Sequence, residues 1–376
     1  MNKFILLLLA VTLFLACEEK ESRSTSNLLE NLSIQVDTIQ VDVGEELFNP
    51  GGYYISDFNS DRSIGYFFYM ENEVHEIDLD NMKLLNRFVY QEDGPDAIPK
   101  YPNSFQILPN REIFIGGYAQ QGVFTLPGHS INSYKIIPEN LNGIPNDAPY
   151  SLSNNIHISP DKSTIVGLAG IFGEPLEGMA VVDAEEMNAK IHPLPALDLT
   201  HNFQLVFRQG NGASAAGDFQ RIQFINDQFI IYSGSTSDIY SYDWKTDSLK
   251  LISFPHELVP LKKSGKITNS VTSSESLVEG RRNLSKQITF GQLYYDDEKE
   301  TYFRFAGMNA QYDDKGRFLR SDVYLFSYDK NWKLTGEKLV EELKNQPYSS
   351  FMKDGNIYIP TVQGENPAFV VYAINF

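Results

Sequence analysis

His157–Gly167 reads HISPDKSTIVG: two short apolar runs held apart by Pro160, Asp161 and Lys162. Proline presets the backbone angle of a turn, and aspartate accepts bonds from the amides that follow it, so the stretch reads as a tight β-hairpin. A single hairpin says little. The same short run, turn and more apolar run returns as SFQILPNREIFIGG, RIQFINDQFIIYSG, GQLYYDDEKETYFRFAG and YSSFMKDGNIYIPT. His157 then stands where Gln106 and Gln223 stand in its counterparts.

A second hairpin alternates with the first: EVHEIDLDNMKLLNRFVY, GVFTLPGHSINSYKII, GMAVVDAEEMNAKIHPL, DIYSYDWKTDSLKLISF and DVYLFSYDKNWKLTGEKL. In four of these an aspartate (Asp78, Asp183, Asp243, Asp329) closes the first run, and Pro127-Gly128 makes the turn in the other. Two hairpins in succession form a four-stranded antiparallel unit with strands A to D. Units begin near Gly52, Ser104, Ile156, Asp218, Ile288 and Tyr348.

The expected fold is therefore all-β: a six-bladed β-propeller with four-stranded blades. The last unit ends at AFVVYAINF, one strand short, while LSIQVDTIQVDV (Leu32–Val43) alternates without a hairpin partner. If that N-terminal strand completes the last blade, no open edge remains. Helix is expected only as a short piece at GEKLVEELKN. The abundance of Phe (25) and Tyr (21) in 376 residues agrees with pleated, half-buried surfaces.

The N-terminus reads as an export signal, with Lys3 before the apolar run Phe4–Leu15 and Ala16 before Cys17, the chain's single cysteine. An apolar segment, a small residue and then cysteine resemble the bacterial lipobox, although Phe14 and Leu15 depart from its usual residues. The resulting division is 1–16 signal peptide, 17–31 flexible acidic tether and 32–376 propeller domain, with Cys17 carrying the lipid. Glu18 and Glu19 resemble the surface-export signal of Bacteroidota lipoproteins, so an outer-membrane lipoprotein is expected, displayed outward or kept on the periplasmic side. The membrane is then a partner through the lipid alone.

With 31 Lys+Arg against 49 Asp+Glu, a net charge of −18 argues against nucleic acid as a partner. Once Cys17 is lipidated, no thiol is left for a disulfide, a thiolate metal site or a nucleophile. Six scattered histidines give no metal spacing, and no phosphate-cradling loop or nucleophile elbow is present, so neither cofactor nor metal is expected and no catalytic residue is singled out.

Long loops fall between strands B and C and between D and the next A, which lie on one end of a propeller. Function concentrates on such loops. The candidate binding residues there are Asp93, Tyr101, Tyr118, Arg208, Arg281, Arg282, Arg304 and Arg320. Arg304 sits inside the apolar strand TYFRF, where a charge needs a partner; a structural, salt-bridged role is the plainer reading. Arg281 and Arg282 read as a polar loop able to hold an anion, or as merely solvated.

The lipobox, the acidic tether, QEDGPDAIPKYPNSFQILPNREIFIGG and KQITFGQLYYDDEKETYFRF together resemble an uncharacterised family of Bacteroidota lipoproteins with a domain of unknown function, similar to six-bladed β-propeller lipoproteins. That resemblance implies a fold and a location and carries no catalytic residues. Three functions stay open: a binding or interaction module for a glycan, peptide or envelope protein; a glycan hydrolase or lyase; and a structural subunit of an envelope complex.

Overall fold

A computed structural model describes residues 27–45, 53–69, 72–100, 102–118, 120–210 and 212–376. The chain is all-β. Among the described residues, five four-stranded antiparallel sheets follow one another along the sequence. The first comprises Tyr53–Phe58, Ile64–Tyr69, Glu73–Asp78 and Lys83–Val89. The second comprises Ser104–Leu108, Glu112–Gly116, Gln121–Thr125 and Ser130–Tyr134. The third has Ser151–Ile158, Thr164–Gly170, Leu176–Asp183 and Ala189–His192, and the fourth Gln220–Ile225, Gln228–Ser233, Ile239–Asp243 and Ser248–Ile252. The fifth has Thr289–Asp296, Thr301–Tyr312, Phe318–Asp329 and Leu334–Leu339.

A sixth sheet joins the two ends of the chain. Its strands Phe351–Lys353, Asn356–Gln363 and Asn366–Asn375 are completed by Ser33–Gln40, antiparallel to the last, from Ser33 opposite Asn375 to Gln40 opposite Ala368. The expected pairing of the N-terminal strand is thus present.

Side chains of consecutive sheets pack against each other. Phe68 shares a buried cluster with Phe105, Phe114 with Ile156, Val166 with Phe229, Ile230 with Leu293, and Phe303 with Ile357, each pair in a different cluster. The sixth cluster, with Phe67, Phe351 and Phe369, returns from the sixth sheet to the first. Buried clusters therefore link each sheet to the next and the sixth back to the first.

The turn chemistry follows the sequence. Asp78 Oδ1 accepts from the amides of Asp80 and Asn81, both at 2.9 Å, and Asp183 Oδ1 from those of Glu185 and Glu186 at 2.9 and 2.8 Å. Asp243 and Asp329 do the same. In the stretch quoted first, Asp161 Oδ1 accepts from Ser163 N at 3.0 Å and Ser159 Oγ at 2.6 Å, while Lys162 takes a left-handed φ of 67°.

The counterparts of His157 form a set of clamps on the A strands. Asp57, Gln106, His157 and Gln223 lie opposite Tyr66, Phe114, Val166 and Ile230 of their B strands, and each side chain reaches the backbone of the next sheet. Asp57 accepts from Ile107 N (2.7 Å), Gln106 donates to Ile158 O (2.8 Å), His157 Nε2 donates to Ile222 O (3.1 Å), and Gln223 donates to Leu293 O (2.7 Å). Gln292 to Ser350 O and Arg62 to Met352 O continue the series back to the first sheet.

Acid should loosen this arrangement. Burial pushes His157 down to about 4, and burial together with the nearby Arg304 charge pushes His256 down to about 3. Both therefore stay neutral in the folded state at pH values where the unfolded chain, with histidine near 6.5, binds a proton. Stability from this source is complete above pH 6.5 and falls as pH drops towards 4, by about 1.4 kcal/mol per pH unit for each proton taken up. Burial raises Asp57 to about 6, which works the other way between about pH 6 and 4 and offsets one of the two protons. His157→Gln, which keeps a clamp like that of Gln106, is expected to remove one proton from the pH dependence of the melting temperature between pH 6.5 and 4. An unchanged slope would show that His157 does not titrate this way.

Four features differ from the sequence reading. GEKLVEELKN forms no helix: Leu334–Leu339 is the fifth D strand, paired with its C strand from Tyr324 to Tyr328. Pairing to a sheet overrides helix propensity here. Gly336 on that strand also lets residues 27–29 pass closely, since a Cβ would lie 2.6 Å from Asn27 Oδ1. The packed chain accordingly starts by Asn27, within the expected tether, with Leu29 fully buried against the fifth and sixth sheets.

The other two differences concern the long links. RQGNGASAAGD is a hairpin of Gln204–Gln209 with Gly212–Gly217, joined in parallel by Ser270–Val271 from the next link. Within that next link, Ser274–Leu284 is a helix, α1. Ser273 caps it by accepting from Ser276 N at 3.1 Å, and Arg281 and Arg282 occupy its last turn, where cations suit the helix dipole. Gly280 allows α1 to lie against Leu205, whose Cδ1 would be 2.5 Å from an added Cβ, and Leu277 and Leu284 join Phe203 and Leu205 in one cluster. Two links distant in sequence thus build one small layer.

Candidate functional site

The small layer borders a cleft of ≈ 470 Å³. Its walls are the last turns of α1, the far end of the long hairpin between the fifth B and C strands, and the link from the fifth to the sixth sheet. All three belong to the long-loop classes. The opposite end carries short turns that contact each other, as in Lys162 with Glu112 at 2.8 Å and Lys330 with Glu300 at 2.9 Å.

Arg281 and Arg282 line the cleft together with Tyr312, Phe318 and Tyr348, and none of its lining residues is acidic, a histidine or a cysteine. The Arg282 guanidinium carbon lies 5.7 Å from the centre of the Tyr312 ring, and the Tyr312 hydroxyl is 2.9 Å from Ser285 Oγ. Asp313, whose charge is near enough for Arg282 to favour, is bonded at 2.7 Å by Arg317; bonds from Arg317 hold its carboxyl below the usual range. Gln346 is buried, donates to Tyr348 Oη at 2.7 Å, and leaves Oε1 without a partner among the described residues. A buried acceptor in that state costs about 1–3 kcal/mol until a donor reaches it.

Of the candidate residues, the structure brings only Arg281 and Arg282 into this cleft. Asp93 and Tyr118 are exposed on loops of the first and second sheets, Tyr118 to 62%. Arg208 is exposed at a strand end and donates to Phe172 O at 3.2 Å, tying the small layer to the third sheet. Arg320 is exposed on the fifth C strand, opposite Gln311, and is not among the lining residues. Cys17 and Tyr101 lie outside the described residues.

Arg304 does not line the cleft. It is fully buried, and no ion pair to a carboxylate accompanies it among the described residues. It donates to the backbone carbonyls of Gly291 (2.9 Å), Ser237 (2.8 Å) and Ser233 (3.1 Å), with Phe290 and Tyr232 rings 5.0 and 5.6 Å away. Burial lowers its pKa to about 10, which leaves it charged at neutral pH. Its role is to tie the fifth sheet to the fourth.

Sequence reading missed Tyr312, Phe318, Gln346 and Tyr348. The sequence pattern expects a long loop between the fifth B and C strands, but Thr301–Tyr312 and Phe318–Asp329 run far into it and leave only a five-residue turn. Asp-Asp-Lys-Gly between an aromatic on either side was the available signal. Nothing local marks Gln346, whose burial depends on distant packing.

A second concentration of titratable groups lies in the first sheet. Glu73 is bonded by His75 at 2.9 Å and by Arg87 at 2.8 Å; burial opposes its charge, but these bonds outweigh it and hold the carboxyl below its ordinary range. Arg111 pairs with the buried Glu76 at 2.8 Å. These groups are spent on one another. Among the described residues no cluster of three or more His, Cys, Asp or Glu is arranged to hold a metal, and no helix is long and apolar enough to cross a membrane.

A family model described as a domain of unknown function (DUF4221) matches residues 25–339. Among solved structures, the chain is similar to a member of that family from Bacteroides vulgatus ATCC 8482, with 13% identity over 92% of this chain and 98% of the other and a TM-score of 0.59. It is also similar to a "Putative exported protein" of Bacteroides fragilis NCTC 9343, with 10% identity, 91% and 95% coverage and a TM-score of 0.49. A third similarity is to the Cps50 (Swd1) beta-propeller domain of Myceliophteria thermophila, with 10% identity, 91% and 100% coverage and a TM-score of 0.40. Only the first of these scores bears on the fold. No curated protein matches the chain. From the match over most of its length, the chain belongs to the DUF4221 family.

Proposed function

We propose that the chain is a six-bladed β-propeller, anchored in the outer membrane by lipid on Cys17, which works as a binding module through its long-loop face. The six sheets and the six clusters that join them in a cycle support the blade count. The signal-like N-terminus and lone cysteine support the anchor. The observation that carries the binding reading is the cleft: two arginines and three aromatic rings line one space with no carboxylate, histidine or cysteine among its lining residues.

The hydrolase reading calls for convergent carboxylates, which the cleft does not supply. The structural-subunit reading calls for a continuous apolar patch on the rim. Exposed apolar residues of the outer strands, such as Val36, Val89, Ile131, Leu251 and Leu339, are instead spread over five sheets.

A panel of envelope saccharides and peptides, read by thermal shift, tests the proposal. A ligand at a hundred times its Kd stabilises the folded state by about 2.7 kcal/mol, enough to raise the melting temperature measurably. Tyr348 is half exposed, so Tyr348→Ala should leave the fold intact and abolish the shift. Ligands that shift both proteins equally, or a panel that shifts neither, would contradict the reading.

A further inference from the structure

We infer that the cleft takes an acidic sugar, a pyranose carrying a carboxylate, as its ligand; this rests on the binding-module reading above. Three separate features of the lining point the same way. The first is charge. In a chain with eighteen more acidic than basic residues, the lining contains two arginines and no acid. Arg281 is exposed, with no side-chain partner among the described residues, and the carboxylate nearest Arg282, Asp313, is held by Arg317. Guanidinium groups present planar, paired donors that match a carboxylate.

The second feature is the set of short polar groups. Ser285, Thr289, Ser321 and Asn345 stand around the same space. A hydroxyl-rich ring supplies donors and acceptors at several positions at once. A bare carboxylate supplies no donor at neutral pH.

The third is the set of rings. Phe318 and Tyr348 are 41% and 54% exposed, and Val278 is 43% exposed, so the apolar surface is open rather than an enclosed hole. Peptide anchors favour well-packed, desolvated pockets. The C–H face of a sugar ring needs only a flat aromatic surface to lie on. A carboxylated pyranose therefore uses the arginines through its anion, the short polar groups through its hydroxyls and the rings through its apolar face.

The test uses the full chain in detergent micelles and titration calorimetry with three probes: tetragalacturonate, its fully methyl-esterified form, and a hexaglutamate peptide. The esterified form keeps the shape and loses the charge. Tetragalacturonate should bind one site, at least tenfold more tightly than its ester, and weaken as salt rises. Arg281→Gln, on an exposed helix position where folding is not at issue, should weaken it at least tenfold, and Phe318→Ala should weaken both saccharides. Equal affinity of acid and ester would overturn the inference, as would binding of hexaglutamate without tetragalacturonate; in the latter case Tyr348-dependent peptide binding would leave the binding-module reading standing. If no probe here or in the wider panel depends on Tyr348, that reading falls as well.

Discussion

A chain lacking residues 27–40 is expected to lose its cooperative fold, and a synthetic peptide of residues 27–43 added in trans is expected to restore it. Leu29, Leu32 and Ile34 are each no more than 7% exposed and all pack between the fifth and sixth sheets. Burial of such side chains contributes about 1.5–3 kcal/mol apiece, so their removal alone costs about 5–9 kcal/mol against a total stability on the order of 5–15 kcal/mol. The deletion also uncovers the whole Asn366–Asn375 edge, which eight paired residues now cover, and bare edges of that length recruit other chains. Size-exclusion chromatography and thermal unfolding read both consequences. A monomeric deletion variant that melts like the intact chain would show that the cycle does not depend on its N-terminal strand.

Replacing Arg304 should produce the next largest loss. Exchange of a buried ion pair for apolar residues is often neutral, because both charged partners can be removed together. Here the partners are three main-chain carbonyls, of Gly291, Ser233 and Ser237, and no substitution can take them away. Arg304→Met fills similar space yet leaves those oxygens without donors in a dry interface, at about 1–3 kcal/mol each. A loss of at least about 3 kcal/mol in denaturant unfolding is expected, with Arg304→Lys recovering part of it through a single point donor. An Arg304→Met variant as stable as the native chain would contradict the bridging role and reopen a functional one.

What could be read from the sequence was the repeat, because its signals are local. Asp78, Asp183, Asp243 and Asp329 close their strands by bonding amides only two to four residues away, so the motif survives without knowledge of the rest of the fold. His157 aligned with Gln106 and Gln223, and all three turned out to be clamps between sheets, a role that position in the repeat could signal but residue type could not. The candidate site was far less legible. Helix α1 and the hairpin beside it come from links some sixty residues apart and stabilise each other through Gly280 and Leu205. Arg281 and Arg282 were noticed as a pair of charges, but Gln346 acquires its unmet acceptor only through burial by distant chain. Arg304 looked functional for the same reason it is structural: a charge within an apolar strand must find donors' partners somewhere, and in this fold they are backbone oxygens of the neighbouring sheet.

The measurement that tests the account most directly is hydrogen exchange of the full chain with and without saturating tetragalacturonate. The account predicts added protection confined to residues 278–285, 310–321 and 345–348, the three segments that wall the cleft, with the short-turn end of the sheets unchanged. Protection centred on the short turns around Arg62, Lys162 or Lys353, or no change at the cleft with any ligand that binds, would contradict it.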